Sequence, residues 1–437
     1  MLQTEGLRFR SGYDILVAVK DVLAIAYHYL PIASPGAERM RAFARDLPEH
    51  GYRLLPVTTS TYGREGAEDV VRVGEPVGLF RTILNPEQKM ASPEVRSRIR
   101  TDAGGLSGIA TFIRDRISIP DGQIAWCLPA LLACLREIRR RDVRVLYTSS
   151  PPNSVHLLGS MVKGLMGLPW VAEFRDTWTH DPIDAFLSQG GWRLRLEASM
   201  ERHVAIGADR VVGVTNRACD FLETLAGAGK VRCVPNGFAE DLSFVEDEVG
   251  SDGPLHIVHV GSFSESHQRR SPDVLVKAVA SLGDAVRLSL VGPLTEEEKD
   301  RVRRLGAGCV ETVGMVPRDE ALQWQRDSDA VVLVDHARSH PSTNVPSKCY
   351  EYLASGRSIL ALTPEGATRD LLKEVGGGIC VDPDDEPGIT SALGRLIEVK
   401  RRGKLREFAA RDGTMERYCR KGLAGELAKV FDEMAEG

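Results

Sequence analysis

Two α/β domains, each built on a parallel, doubly wound sheet, are what this sequence predicts, and three observations carry the expectation. Short runs rich in Val, Ile and Leu alternate with longer amphipathic stretches along most of the chain. The connections between them are mostly short and carry Gly, Pro, Ser and Asn. The pattern runs twice, once on each side of an acidic, turn-rich stretch from Glu240 to Pro254. Repeated β–α alternation with short connections specifies βαβ units and parallel strands. At 437 residues the chain is long for one core and fits two domains of ordinary size.

In chain order, residues 1–21 read as a lead segment. Val22 to Ala26 is the first strand, followed by a loop with Pro31, Pro35 and Gly36, a helical stretch from Ala37 to about His50, and a strand from Arg53 to Thr58. Residues 60–120 are Gly-, Arg- and Ser-rich with weak periodicity and fit an irregular insertion. Helix Leu128–Arg141, strand Val143–Thr148, helix Ser154–Met166 and strand Trp170–Phe174 restore the rhythm. Helix Gly191–Ile206, strand Arg210–Val214, helix Arg217–Leu225 and strand Val231–Pro235 close a first domain spanning 22–240.

A second domain, 241–418, repeats the alternation. Its strands are expected at Leu255–Val260, Val286–Val291, Val310–Val313, Ala330–Val334, Ser358–Leu362 and Gly378–Val381. Helices separate them, and a further helix, Pro387–Lys400, follows the last strand. The remaining segment, 419–437, holds an amphipathic helix from about Gly422 to Glu436, which needs a partner surface and is expected to pack back on the first domain.

Composition narrows the function. With 43% apolar and 27% charged residues the chain is globular rather than disordered or fibrous, and a net charge of −5 argues against nucleic acid as a bulk electrostatic partner. Eight cysteines show no C-x-x-C spacing, so free thiols in a reducing cytoplasm are expected rather than disulfides or zinc. The ten histidines form no metal-ligand spacing either, and no metal is expected. No secretory signal or membrane span is apparent: the apolar run Ile15–Ala26 is short and broken by Lys20 and Asp21. Arg96, Arg98, Arg100, Arg114 and Arg116 flank a weakly apolar segment, 105–113, and fit a solvated basic face better than a membrane contact.

The stretch Asn344–Leu362, NVPSKCYEYLASGRSILAL, says most about chemistry. It reads as a loop, a helix carrying Lys348 and Glu351 that ends at Gly356, and a strand, all following the strand Ala330–Val334. Backbone N–H groups, a lysine and a carboxylate thus meet at the C-terminal edge of a parallel sheet. Ligands of open α/β sheets bind at that edge, and helix N-termini there favour anions. The unit reads as a nucleotide-diphosphate pocket.

Six segments in order then carry a resemblance: YHYLPIASPGAERM (27–40), LYTSSPPNSVHLLG (146–159), LPWVAEFRDTWT (168–179), VPNGF (234–238), HVGSF (259–263) and VPSKCYEYLASGR (345–357). The chain resembles the glycogen-synthase-like, nucleotide-sugar-dependent glycosyltransferases of family 4, which have the two-Rossmann GT-B fold. The resemblance implies a nucleoside-diphosphate-sugar donor, UDP- or GDP-linked, as co-substrate with no further cofactor. It implies transfer to a small molecule, natural product or glycan with retention of configuration. A non-catalytic sugar-nucleotide or glycan binder and a GT-B epimerase are the alternatives.

The residues distribute accordingly. Gly36 lets backbone approach a ligand closely and is a candidate contact of the donor diphosphate; in the resembling family its loop closes over donor and acceptor. Gly261 followed by Arg269 and Arg270 suits a diphosphate, since guanidinium pairs bidentately with phosphate oxygens; Lys348 joins them. Arg175 and Asp176 stand where relatives often have His-Asp and are the candidate catalytic pair, or else a salt bridge of the cleft wall. Ser149, Ser150 and Asn153 offer hydroxyl and amide groups to an acceptor, or cap the next helix. Relatives carry two glutamates eight positions apart. Glu351 matches the second, which binds ribose, while the first is Thr343, so that Thr343, Asn344 and Val345 form the expected donor-sugar side.

Overall fold

The computed structural model describes residues 19–435 apart from 33, 64–68, 76–117, 181–190, 241–251, 265, 266, 268, 307 and 339. In the first domain the elements run β1 (Lys20–Ile25), α1 (Pro35–Asp46), β2 (Tyr52–Thr59), β3 (Val71–Val73), α2 (Cys127–Arg140), β4 (Val143–Ser150) and α3 (Ser154–Met166). They continue with β5 (Trp170–Phe174), α4 (Trp192–Gly207), β6 (Arg210–Gly213), α5 (Asn216–Ala226) and β7 (Val231–Cys233). All pairings are parallel, in the order β3-β2-β1-β4-β5-β6-β7.

The second domain runs β8 (Leu255–Val260), α6 (Asp273–Ser281), β9 (Val286–Val291), α7 (Glu296–Leu305), β10 (Val310–Gly314), α8 (Arg318–Asp327), β11 (Ala330–Val334) and α9 (Ser347–Ala354). Next come β12 (Ser358–Leu362), α10 (Ala367–Val375), β13 (Ile379–Val381) and α11 (Glu386–Arg401). This sheet is also parallel, in the order β10-β9-β8-β11-β12-β13. Strands covered on both faces should be continuously apolar, and β11 (AVVLV) and β12 (SILAL) are buried at every position. Two Rossmann-like domains in succession are the GT-B fold.

Local chemistry sets the helix starts. Ser34 Oγ accepts from Ala37 N at 3.2 Å ahead of Pro35, and Thr295 with Glu298 forms a reciprocal capping box on α7. In each sheet the strand order reverses once, between β1 and β4 and between β8 and β11. The loops leaving those four strands diverge there and open the crevice in which ligands of such sheets bind.

The last helix, α12 (Arg420–Ala435), returns to the first domain. Its Leu423, Leu427 and Phe431 pack with Met40, Phe43, Tyr52 and Tyr147, and the Phe431 ring lies 5.3 Å from Tyr52. The two chain crossings between domains run side by side: Phe238 N donates to Tyr418 O at 3.1 Å and Arg420 N to Phe238 O at 3.0 Å. Gly237 permits this approach, since a Cβ there would strike the Tyr418 carbonyl.

Two differences from the sequence reading stand out. Strand β1 starts at Lys20, inside the supposed lead segment. Strand β3 occupies Val71–Val73 within the stretch read as irregular. Three residues at a sheet edge are too few to produce a visible alternation. Arg96, Arg98, Arg100, Arg114 and Arg116 lie outside the described residues. Among the described residues no helix is long and apolar enough to cross a membrane.

Candidate functional site

The second domain supplies a cationic seat. Strand β8 is followed directly by Gly261, whose φ of 131° lies in the region that favours glycine. A Cβ on Gly261 would overlap the Lys348 ammonium, which reaches across it from the first turn of α9. Among the described residues no hydrogen bond or ion pair takes up Lys348, and burial, with the Arg270 charge, pushes its pKa down to about 8 against the pull of Glu351. An amine held this way gains from any anion that enters.

Arg270 is oriented from behind. Its Nη2 lies 3.0 Å and its Nε 3.3 Å from Asp335 Oδ1. Asp335 directly follows β11, and its carboxylate also has His336 Nδ1 at 3.0 Å and Arg338 Nη2 at 3.6 Å. Burial alone would raise the Asp335 pKa, but His336 and the two guanidiniums outweigh it and hold the carboxyl well below its usual range. The Arg270 contacts use Nε and Nη2 and leave Nη1 for a ligand. Arg269, by contrast, is exposed, and among the described residues its one hydrogen bond is from its backbone N to His267 Nδ1.

Glu351 sits one turn beyond Lys348 on α9 and forms an ion pair with Arg318 at 3.0 Å. Thr343 is buried and faces the first domain: Thr177 Oγ1 lies 3.0 Å from its hydroxyl, and Thr215 Oγ1 donates to its carbonyl at 2.6 Å. Asn344 N donates to Ser342 Oγ at 3.2 Å, and the Val345 side chain is buried in the core beneath α9. A further ion pair, Arg217 with Asp370, spans the cleft.

The first-domain wall is built differently. Glu173, the one acid in the apolar strand β5, is fully buried and takes Arg39 Nη2 at 2.8 Å and Ser149 Oγ at 2.6 Å. Arg39 also donates to the Val234 and Pro235 carbonyls, tying α1 to the end of the sheet. Burial works to raise the Glu173 pKa, yet the Arg39 charge and the hydrogen bonds hold it below its usual range.

Arg175 Nε donates to Ser150 O at 2.9 Å and Nη2 to Pro151 O at 3.1 Å, while the guanidinium lies against Gly36. The close approach that Gly36 permits is therefore made by Arg175, and that space is not left for a diphosphate. Asp176 is half-buried on the same loop. The loop is pinned by α4, where Glu197 accepts from Trp178 Nε1 at 2.8 Å and Glu201 from Trp178 N at 2.9 Å. Ser150 Oγ is buried without a hydrogen-bond partner among the described residues. The Asn153 side chain caps nothing; Asp121 Oδ2 accepts from Ser154 N at 2.8 Å instead.

Lys348, Arg270 and Glu351 thus share one neighbourhood at the second sheet's switch point. Gly36, Arg175, Asp176 and Ser149 group at the first, and Thr343 joins the two. Sequence reasoning missed Glu173, Asp335 and Arg318. A signal existed for two of them: Glu173 interrupts an apolar strand, and Asp335 is the first polar residue after one. The hollow lined by Gly253, Pro254, Leu255, Asp284 and Lys400 is at the opposite edge of the second sheet. Its lysine is already taken up by Asp329 at 2.6 Å.

Residues 254–399 match the family model described as glycosyl transferases group 1. No curated protein sequence matches the chain. Among solved structures it is similar to Anabaena Alr3699/HepE in complex with UDP and glucose, at 15% identity over 95% of this chain and 100% of that one, with a TM-score of 0.61. It is similar also to a point mutant of S. aureus TarM in complex with fondaparinux, alpha-GlcNAc-glycerol and UDP, at 10% identity over 95% and 100%, TM-score 0.63. A third similar structure is a UDP-N-acetylglucosamine 2-epimerase homologue from Listeria monocytogenes, at 11% identity over 96% and 98%, TM-score 0.57. At these identities the structural likenesses establish the GT-B architecture. The group 1 glycosyl transferase pattern is carried by the second domain, the one that holds Lys348.

Proposed function

We propose that this protein moves a sugar from a nucleoside-diphosphate sugar, UDP- or GDP-linked, to a small-molecule, natural-product or glycan acceptor. The observation that carries the reading is the Lys348 ammonium, half-buried and without a hydrogen-bond acceptor among the described residues, laid across Gly261 beside Arg270 within the group 1 match. In this reading the diphosphate occupies that seat, with Lys348 and Arg270 Nη1 on its oxygens. Glu351 takes the ribose, exchanging Arg318 for the two hydroxyls. Charge that develops on the leaving diphosphate meets cations already fixed by Asp335 and α9, so stabilisation requires little reorganisation. The role of a divalent ion is thereby filled by side chains.

The acceptor lies against the first-domain wall, where the half-buried Asp176 and Asn153 line the loops after β5 and β4. Arg175 positions those loops through the Ser150 and Pro151 carbonyls. Departure of the nucleoside diphosphate and attack from the same face would retain configuration. Titration calorimetry with UDP, GDP and dTDP tests the donor seat, and nucleotide release from their sugars tests transfer. Failure of all three nucleotides to bind would sink the reading.

A second reading, a non-catalytic sugar-nucleotide binder, is favoured by one observation. Thr343, where a carboxylate would meet the donor sugar, is engaged with Thr177 and Thr215 of the first domain. That reading expects nucleotide binding with no product from any acceptor, including extracts of the source cell.

A further inference from the structure

Nine large apolar side chains are exposed among the described residues, and seven of them stand on α2, α3 and α4. They include Leu128 (66% exposed), Leu132, Met161, Leu165 (62%), Trp192 (47%) and Leu196. The three helices cover one face of the first sheet side by side: α2 touches α3, α3 touches α4, and all three bury their inner stripes in the same cluster. Ser160 Oγ and His203 Nε2, 3.2 Å apart, join α3 to α4. The exposed apolar residues therefore share one outer surface and are not scattered singly, as ordinary surface leucines are.

Within the three helices the exposed charges have one sign. Every exposed charged residue on these three helices is an arginine: Arg136, Arg139, Arg140, Arg195 and Arg202. Their acids are turned elsewhere. Glu197 and Glu201 are buried beneath α4, holding Trp178, and Glu137 is taken by Arg141 at 3.2 Å. Acids return at the helix ends, where Asp142 pairs with Arg144 and Asp209 with Lys163 of α3, and on α5 with Asp220 and Glu223.

We propose that this face rests on an anionic lipid bilayer, Trp192 and the leucines entering the headgroup region and the arginines meeting lipid phosphate. Interfacial binding draws on both terms at once, buried apolar area and attraction to anionic lipid. A second copy of the chain fits poorly. A twofold contact would set this surface against itself, bringing arginine to arginine with no exposed acid on these helices to pair them. The inference does not depend on the reaction proposed above.

The full-length protein should co-sediment with vesicles of phosphatidylcholine mixed with phosphatidylglycerol, and far less with phosphatidylcholine alone. Raising the salt should release it. Replacing both arginines of α4, Arg195→Glu with Arg202→Glu, should weaken partitioning by about tenfold or more. Trp192→Ser with Leu196→Ser should do the same at low salt. Arg195 and Arg202 are exposed, so the thermal midpoint of the arginine variant should not move, which separates lost docking from lost fold. Absence of binding to the anionic vesicles, equal binding to neutral ones, or an unchanged arginine variant would overturn the proposal. So would a concentration-dependent dimer in sedimentation velocity that Leu165→Asp dissolves, because the occupant would then be another copy.

Discussion

The two walls of the cleft use charge in opposite ways. On the first-domain wall the strong groups are consumed internally: Glu173 is filled by Arg39 and Ser149, and Arg175 is bound to two backbone carbonyls. On the second-domain wall Lys348 has no hydrogen-bond acceptor among the described residues, while Asp335 orients Arg270 through Nε and Nη2 alone. A wall that satisfies its own polar groups is a rigid surface against which something is positioned. A wall that leaves a desolvated cation unsatisfied holds back interaction energy for a ligand. The difference predicts that damage to the first wall costs stability, whereas damage to the second costs binding.

The largest expected effect breaks the first wall. Glu173→Ala should strand the buried Arg39 guanidinium and lower unfolding stability by about 3–5 kcal/mol in urea denaturation; a loss under about 1 kcal/mol would show that water reaches the pair. Next comes the second wall. Lys348→Ala should reduce affinity for a nucleoside diphosphate by roughly ten- to a hundredfold, the worth of about 1.5–3 kcal/mol for a charged hydrogen bond. The same change should leave thermal stability unchanged or higher, since it removes a desolvated charge. Calorimetry and a melting curve read the two together, and the comparison fails if stability falls instead of affinity.

The pH dependence sharpens the contrast. With its folded-state pKa lowered to about 8, Lys348 loses its proton before the same lysine in the unfolded chain, near 10.5. Diphosphate affinity should therefore fall as pH rises through about 8. The Lys348 contribution to stability should move the opposite way and rise between about 8 and 10.5, because there the unfolded chain binds the extra proton. Lys348→Arg, which does not titrate in this range, should abolish both slopes. The smallest effect belongs to the contact between the walls: Thr343→Val deletes the hydroxyl bond to Thr177 and should cost about 1 kcal/mol. Affinity for a nucleoside diphosphate should be untouched by it.

Much of the architecture is written locally. Helix α3 and strands β5, β8, β9, β11 and β12 begin and end where the alternation of apolar runs and turn residues places them. Strand β3 escapes because Val71–Val73 is too short to show a period. The neighbourhood of Lys348 and Glu351 is legible because both lie on one helix turn after one strand. What governs their chemistry is not. Arg270 meets Asp335 across 65 positions, Glu351 meets Arg318 across 33, and Thr343 meets Thr177 across 166. Pairings at such separations leave no periodic trace in a single sequence. Gly36 illustrates the same gap: its lack of a side chain signals a close approach, but not that Arg175 makes it.

The paired crossing at Phe238 and Tyr418–Arg420 has a mechanical consequence. Because the outgoing and returning strands are stitched together, and Gly237 has no room to gain a side chain, the lobes are joined by one short ribbon rather than two independent tethers. Such a ribbon bends more readily across its width than it shears along its length. Opening about this ribbon should therefore break the Arg217–Asp370 and Thr177–Thr343 contacts while leaving the Phe238 pairing intact.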